Sequence, residues 1–92
     1  MSPRPRLRRR IRFSPPTTFF KPSGIPLRDL ELIRLNKEEM EAIRLYEVEE
    51  LNQTECAQRM KTSQSTLQRI LDSAHKKMGD ALVHGKAIEI ID

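Results

Sequence analysis

The sequence has a single cysteine, Cys56, no tryptophan, and four aromatic residues, Phe13, Phe19, Phe20 and Tyr46. One cysteine excludes an internal disulfide, and a lone thiol fits a reducing cytoplasm. His75 and His84 stand nine positions apart and out of register with Cys56, so no metal-ligand spacing exists. Three glycines, Gly24, Gly79 and Gly85, are too scattered to cradle a phosphate. There is no Ser/His/Asp set and no paired carboxylate in an apolar setting. No apolar run approaches the roughly 20 residues of a membrane span. The basic start is not followed by an apolar segment, which argues against a secretory signal. These absences exclude an enzyme, a metal and a resident cofactor, and they leave no evident membrane or small-molecule partner.

Two further absences divide the chain. No proline follows Pro26, and no acid precedes Asp29. Residues 1–28 hold 8 of the 17 Lys and Arg residues, and the remainder sets 9 basic against 13 acidic residues. The net charge of +4 is therefore the property of a basic arm. Such an arm suits a polyanion, nucleic acid above all. The plainer alternative is a solubilising tail.

The 92 residues suit one small domain. Six prolines exclude helix from the first 26 residues. Within them "RLRRRIRF" alternates. Leu7, Ile11 and Phe13 share one strand face, and Arg8, Arg10 and Arg12 the other. "TTFFKPSGIPL" reads as a loop pinning Phe19, Phe20, Ile25 and Leu27 onto a core, with base stacking as the alternative for the Phe residues.

Beyond the arm the pattern turns helical. Asn36 caps a helix over about 37–49, whose wide apolar face is Met40, Ala42, Ile43, Leu45, Tyr46 and Val48. Glu41 and Arg44 form an i,i+3 pair outside that face. Asn52 and Glu55 form a capping box for a helix over 53–60, with Cys56, Ala57 and Met60 inward. "KTS" is a turn. Ser63 then caps a third helix over 64–84 that ends at Gly85. Its apolar stripe is Leu67, Ile70, Leu71, Ala74, Met78, Ala81 and Leu82. Gly79 either admits a neighbouring element or is simply tolerated. Lys76 and Lys77 read as a solvated face. "KAIEIID" alternates as a strand, with Ile88 and Ile90 on one face and Leu7–Phe13 as its expected partner, in the same chain or a second copy. The expected fold is mainly α: a basic arm over 1–28, a three-helix helix-turn-helix domain over 29–85, and a terminal strand over 86–92.

A short helix, a three-residue turn and a long helix make the helix-turn-helix pattern. Ala57 is small where the helices cross, Met60 is apolar before the turn, and Leu67 and Ile70 face inward. Lys61 holds the turn position where glycine takes a left-handed backbone most freely. The segment from Glu41 to Met78 resembles the helix-turn-helix of sigma-factor region 4, through Leu51, Glu55, Ala57, Ser63 and Thr66. The whole chain also resembles a family of small, uncharacterised prokaryotic proteins predicted to bind DNA. The resemblance is carried by the Arg/Pro-rich start, "FKPSGIPL", "EAIRL" and "GKAIEI". It departs at Glu50 and Lys61, where glycine is usual, and in lacking the N-terminal cysteines of many relatives. It implies transcription-related DNA binding.

Docked in a major groove, the third helix would present Gln64, Ser65, Gln68 and Arg69 to base edges, since Gln complements adenine and Arg guanine. Ser63 and Thr66 would reach phosphate or cap the helix. Thr54 and Gln53 would grip phosphate at a helix start, or simply cap it. The alternative for the whole run is an ordinary solvated face, but residues 62–69 contain no acid, whereas such faces are usually rich in Glu and Lys. Arg8, Arg10 and Arg12 would follow phosphates, enter a minor groove, or line a strand. The expectation is a cytoplasmic regulator that binds double-stranded DNA. It is expected to be a homodimer, because a third helix of roughly 30 Å exceeds what one small core needs. An RNA-binding module and a protein-interaction domain are the alternatives.

Overall fold

The computed structural model describes residues 18–91. Each helix starts where a side chain takes over an unsatisfied backbone donor. In α1 (Lys37–Ile43), Asn36 Oδ1 accepts from the Glu39 N–H at 2.8 Å, and Glu39 Oε1 accepts from the Asn36 N–H at 2.9 Å. Asn52 and Glu55 repeat this capping box at the head of α2 (Gln53–Met60), at 2.8 and 3.2 Å. Ser63 Oγ accepts from the Thr66 N–H at 3.1 Å at the head of α3 (Gln64–His84). Gly85, with φ 65°, ends α3, and the Lys86 N–H returns to Ala81 O at 2.9 Å.

The helix expected as one piece over 37–49 changes form partway. From Arg44 to Val48 its turn widens, and the Glu49 N–H reaches Arg44 O at 2.9 Å. That is an i→i+5 bond, the mark of a π-turn. The chain then leaves through Glu50 at φ 60°. Lys61 takes φ 57°, ψ 48° after α2, with bonds from Lys61 N–H to Gln58 O and from Thr62 N–H to Ala57 O. Both positions singled out in the sequence as usually glycine are thus left-handed. The paired bonds at Lys61 satisfy two orphan carbonyls of α2 in a Schellman arrangement, which offsets the strain of a side chain there.

The strand pairing differs from expectation. β1 (Phe19–Phe20), β2 (Leu32–Leu35) and β3 (Ala87–Ile90) form a sheet of order β1-β3-β2. β3 is central. It runs antiparallel to β1, with Phe20 opposite Ile88, and parallel to β2, with Ile33 opposite Ile88. Its expected partner, Leu7–Phe13, lies outside the described residues. "LIRL" was not recognised as a strand because Leu32 and Ile33 break a clean alternation. The crossover from β2 to β3 contains all three helices, as a parallel pair requires an intervening element.

The core is Ala42, Leu45, Cys56, Ala57, Leu67 and Leu71, with Ile43, Tyr46, Leu51, Met60 and Ile70 against it. Burial pushes the Cys56 thiol up, as suits an inert core residue. Several apolar residues expected inside are not. Leu82 is 80% exposed and Val48 70%, and Phe19, Phe20, Ile25 and Leu27 are exposed rather than pinned to the core. After the short β1 the chain turns at Ser23–Gly24, where Lys21 Nζ donates to Ile25 O at 2.6 Å, and then forms a single 3-10 turn over Leu27–Asp29. At Gly79 an added Cβ would meet no atom within 4 Å, so no described element approaches it.

One buried charge joins the layers. Glu39 is 3% exposed. Its carboxylate accepts from Ser73 Oγ at 2.6 Å and from Lys77 Nζ at 2.9 Å, besides closing the α1 capping box. Lys77 Nζ also donates to Arg34 O at 2.8 Å, at the end of β2. Lys77 is therefore a structural cation, not the solvated residue its surroundings in sequence suggest. A buried carboxylate without partners would be too costly to keep ionised.

Two outcomes follow. Relieving the left-handed strain with Lys61→Gly should stabilise the protein by about 0.5–1 kcal/mol, after glycine's own entropy cost. Thermal melting should then rise by several degrees; an unchanged or lower midpoint would contradict the strain. For Glu39, burial acts to raise the carboxyl, but hydrogen bonds from Ser73, Asn36 and Lys77 outweigh it and hold the group below its ordinary value. A depressed carboxyl contributes stability that is complete above the unfolded value of about 4.3 and lost as pH falls through the lower folded value. Denaturant midpoints of the parent should fall across that acidic window. Glu39→Gln should be destabilised by about 1–3 kcal/mol at neutral pH and lose part of this acid dependence. An identical acid profile in the two proteins would rule the carboxylate out as its source.

Candidate functional site

The turn over Lys61–Ser63 brings the start of α2 beside the start of α3. Both helices therefore present their first turns on one side, and the polar residues singled out in the sequence meet there. Gln64 Nε2 donates to Thr54 Oγ1. Gln53 Nε2 donates to Gln68 Oε1 at 2.6 Å. Gln68 Nε2 in turn donates to Asp72 Oδ1 at 2.9 Å, one helical turn on. Thr54 and Gln53 thus bridge the two helices, while the capping of α2 is done by Asn52 and Glu55.

Ser63 and Thr66 are occupied locally. Ser63 Oγ caps the Thr66 N–H and also donates to Thr66 Oγ1 at 3.0 Å. Ser65 Oγ lies 3.2 Å from Ser63 Oγ and is exposed. The Arg69 side chain is exposed and makes no hydrogen bond or ion pair with any described residue. Arg8, Arg10 and Arg12 lie outside the described residues.

Sequence reasoning named Gln53 with Thr54 as a phosphate contact or a cap, not as a partner of Gln68, and it missed Asp72. The i,i+4 spacing of Gln68 and Asp72 was a legible signal. The link from Gln53 to Gln68 spans 15 positions and depends on the turn between the helices.

Leu67 and Leu71 are buried on the opposite side of α3, so core packing fixes which residues face outward. The first turn of α3 has no acid. Groups with displaced titration lie elsewhere. Hydrogen bonds from Lys86 and His84 hold the Asp80 carboxyl low, and the bond to Asp80 holds Lys86 high, all at the far end of α3. The outward face thus offers amides, hydroxyls and one guanidinium, with the Asp72 carboxylate at its edge engaged by Gln68. No helix of the described residues is long and apolar enough to cross a membrane.

Comparison with known proteins gives relatives over nearly the full chain. A UPF0251 protein of Moorella thermoacetica is 53% identical over 88 residues, covering 96% of this chain and 59% of the relative. A UPF0251 protein of Caldanaerobacter subterraneus is also 53% identical, over 96% of this chain and 75% of its own length. One from Halothermothrix orenii is 47% identical over 92% of this chain and 63% of its own. The chain thus spans about three fifths to three quarters of the length of these relatives. No solved structure matches. The chain belongs to the prokaryotic family described as "Protein of unknown function DUF134", which matches residues 1–92.

Proposed function

We propose that the chain binds double-stranded DNA through a helix-turn-helix formed by α2, the turn and α3, and that it acts in transcription regulation. The observation that carries this reading is the outward face at the head of α3. Gln64, Ser65, Gln68 and Arg69 stand there on a run, 62–69, without an acid, and the Arg69 side chain has no described partner. A recognition helix needs such a face at its N-terminal end, where base edges are read. The resemblance to sigma-factor region 4 supports the same reading. So does the basic arm, whose Arg8, Arg10 and Arg12 would add sequence-independent attraction to phosphate.

A homodimer belongs to the proposal. It is supported by exposed Leu82 and Val83 near the end of α3, and it would place two recognition helices on one duplex. Sedimentation at micromolar concentration should give twice the chain mass; a monomer would remove this part.

Fluorescence anisotropy with a mixed-sequence duplex tests DNA binding itself. Affinity should fall at least tenfold between about 50 and 200 mM salt. Arg69→Ala should reduce base discrimination by about tenfold. Deleting residues 1–12 should weaken all duplexes alike. No retention of any duplex at low salt, or preference for RNA of the same sequence, would overturn the proposal.

A further inference from the structure

Gln68 is the one residue of the candidate face whose amide is held at both ends. Its nitrogen donates to Asp72 Oδ1 at 2.9 Å, and its oxygen accepts from Gln53 Nε2 at 2.6 Å. The direction of this chain follows from chemistry. An ionised carboxylate accepts and cannot donate, so the end of Gln68 facing Asp72 must be its NH2 group. The other end is then the oxygen, and Gln53 must supply the donor. Gln64 differs. Its partner is the Thr54 hydroxyl, which can donate or accept, so nothing fixes which way its amide points.

A primary amide has two N–H donors and two acceptor lone pairs. With one of each engaged, Gln68 keeps one N–H and one lone pair. Adenine presents an acceptor, N7, beside a donor, N6, in the major groove, and an amide matches that pair bidentately. Guanine presents two acceptors there, and a fixed amide oxygen would face one of them without a proton between. Because the amide cannot turn over without breaking two bonds, the order of donor and acceptor along the groove is also set. That order distinguishes A·T from T·A.

We propose that Gln53 and Asp72 are positioning residues that hold Gln68 as a reader of adenine at one base pair. The inference rests on the DNA-binding reading above and adds to it the base, the reading residue and the two groups that fix its polarity. Gln53 comes from the start of α2 and Asp72 from the third turn of α3. The specificity of the reading helix therefore depends in part on the helix before it.

Selection from randomised duplexes by the full chain tests this, run in parallel with Gln68→Ala, Gln53→Ala, Asp72→Ala and Asp72→Asn. The parent should enrich adenine at one position by about tenfold or more over other bases. Gln68→Ala should abolish that preference alone. Gln53→Ala and Asp72→Ala should cut it at least threefold, and by a larger factor than either variant loses in affinity for a mixed-sequence duplex. Asp72→Asn, whose amide oxygen can still accept, should recover part of it. A merely structural role would instead lower affinity for all duplexes together. That result, or an adenine preference unchanged in both Gln53→Ala and Asp72→Ala, overturns the proposal while leaving DNA binding intact. Enrichment of cytosine at the position lost in Asp72→Ala would assign base reading to Asp72 itself and overturn it as well. Failure of the parent to bind any duplex would remove the DNA-binding reading and this inference with it.

Discussion

The Glu39 carboxylate is the constraint around which the domain is arranged. A carboxylate this deeply buried must be surrounded by donors, and here they come from three places. Asn36 supplies a backbone N–H at the head of α1, and Ser73 and Lys77 reach across from α3. Lys77 extends the network to the backbone of β2. No donor can shift far without leaving a buried charge short of a partner. The rotation of α3 about its axis is thereby tied to α1 and to the sheet. That rotation decides which residues of α3 face Leu45 and Cys56 and which face outward.

Two left-handed residues do the corresponding work around α2. Glu50 and Lys61 bracket it, each with a positive φ and a side chain that disfavours it. The widened turn before Glu50 carries an unusual bond, from the Leu51 N–H to Leu45 O at 3.1 Å, which anchors the chain as it enters α2. Reversal at Lys61 then sets α3 beside the start of α2. Bridges from Gln53 to Gln68 and from Gln64 to Thr54 exist only because both reversals occur. Strain in the turns and order at the candidate face are parts of one arrangement.

What was legible in the sequence was what local chemistry controls. Asn36, Asn52 and Ser63 act within three residues of themselves, and all three cap as their spacing suggests. Lys61 stood out because a turn imposes a backbone form that lysine resists. What was not legible depends on distant partners. Lys77 looks like any exposed lysine until Glu39 is folded against it. Leu82 continues an apolar stripe in sequence, yet the core ends near Ala81 and leaves it outside. β2 is hidden because its strand character depends on β3, more than 50 residues later. At the candidate face the same division holds. The residue types of α3 were readable, but the bonds tying them to α2 were not.

The central claim is that the first turns of α2 and α3 meet a duplex. Titrating a mixed-sequence duplex into isotope-labelled protein and following backbone amide resonances tests it residue by residue. The account predicts shifts concentrated at Gln53, Thr54 and residues 63–69, with the β3 amides nearly unmoved. Shifts absent throughout, or confined to the sheet and the Phe19–Leu27 loop, would contradict it.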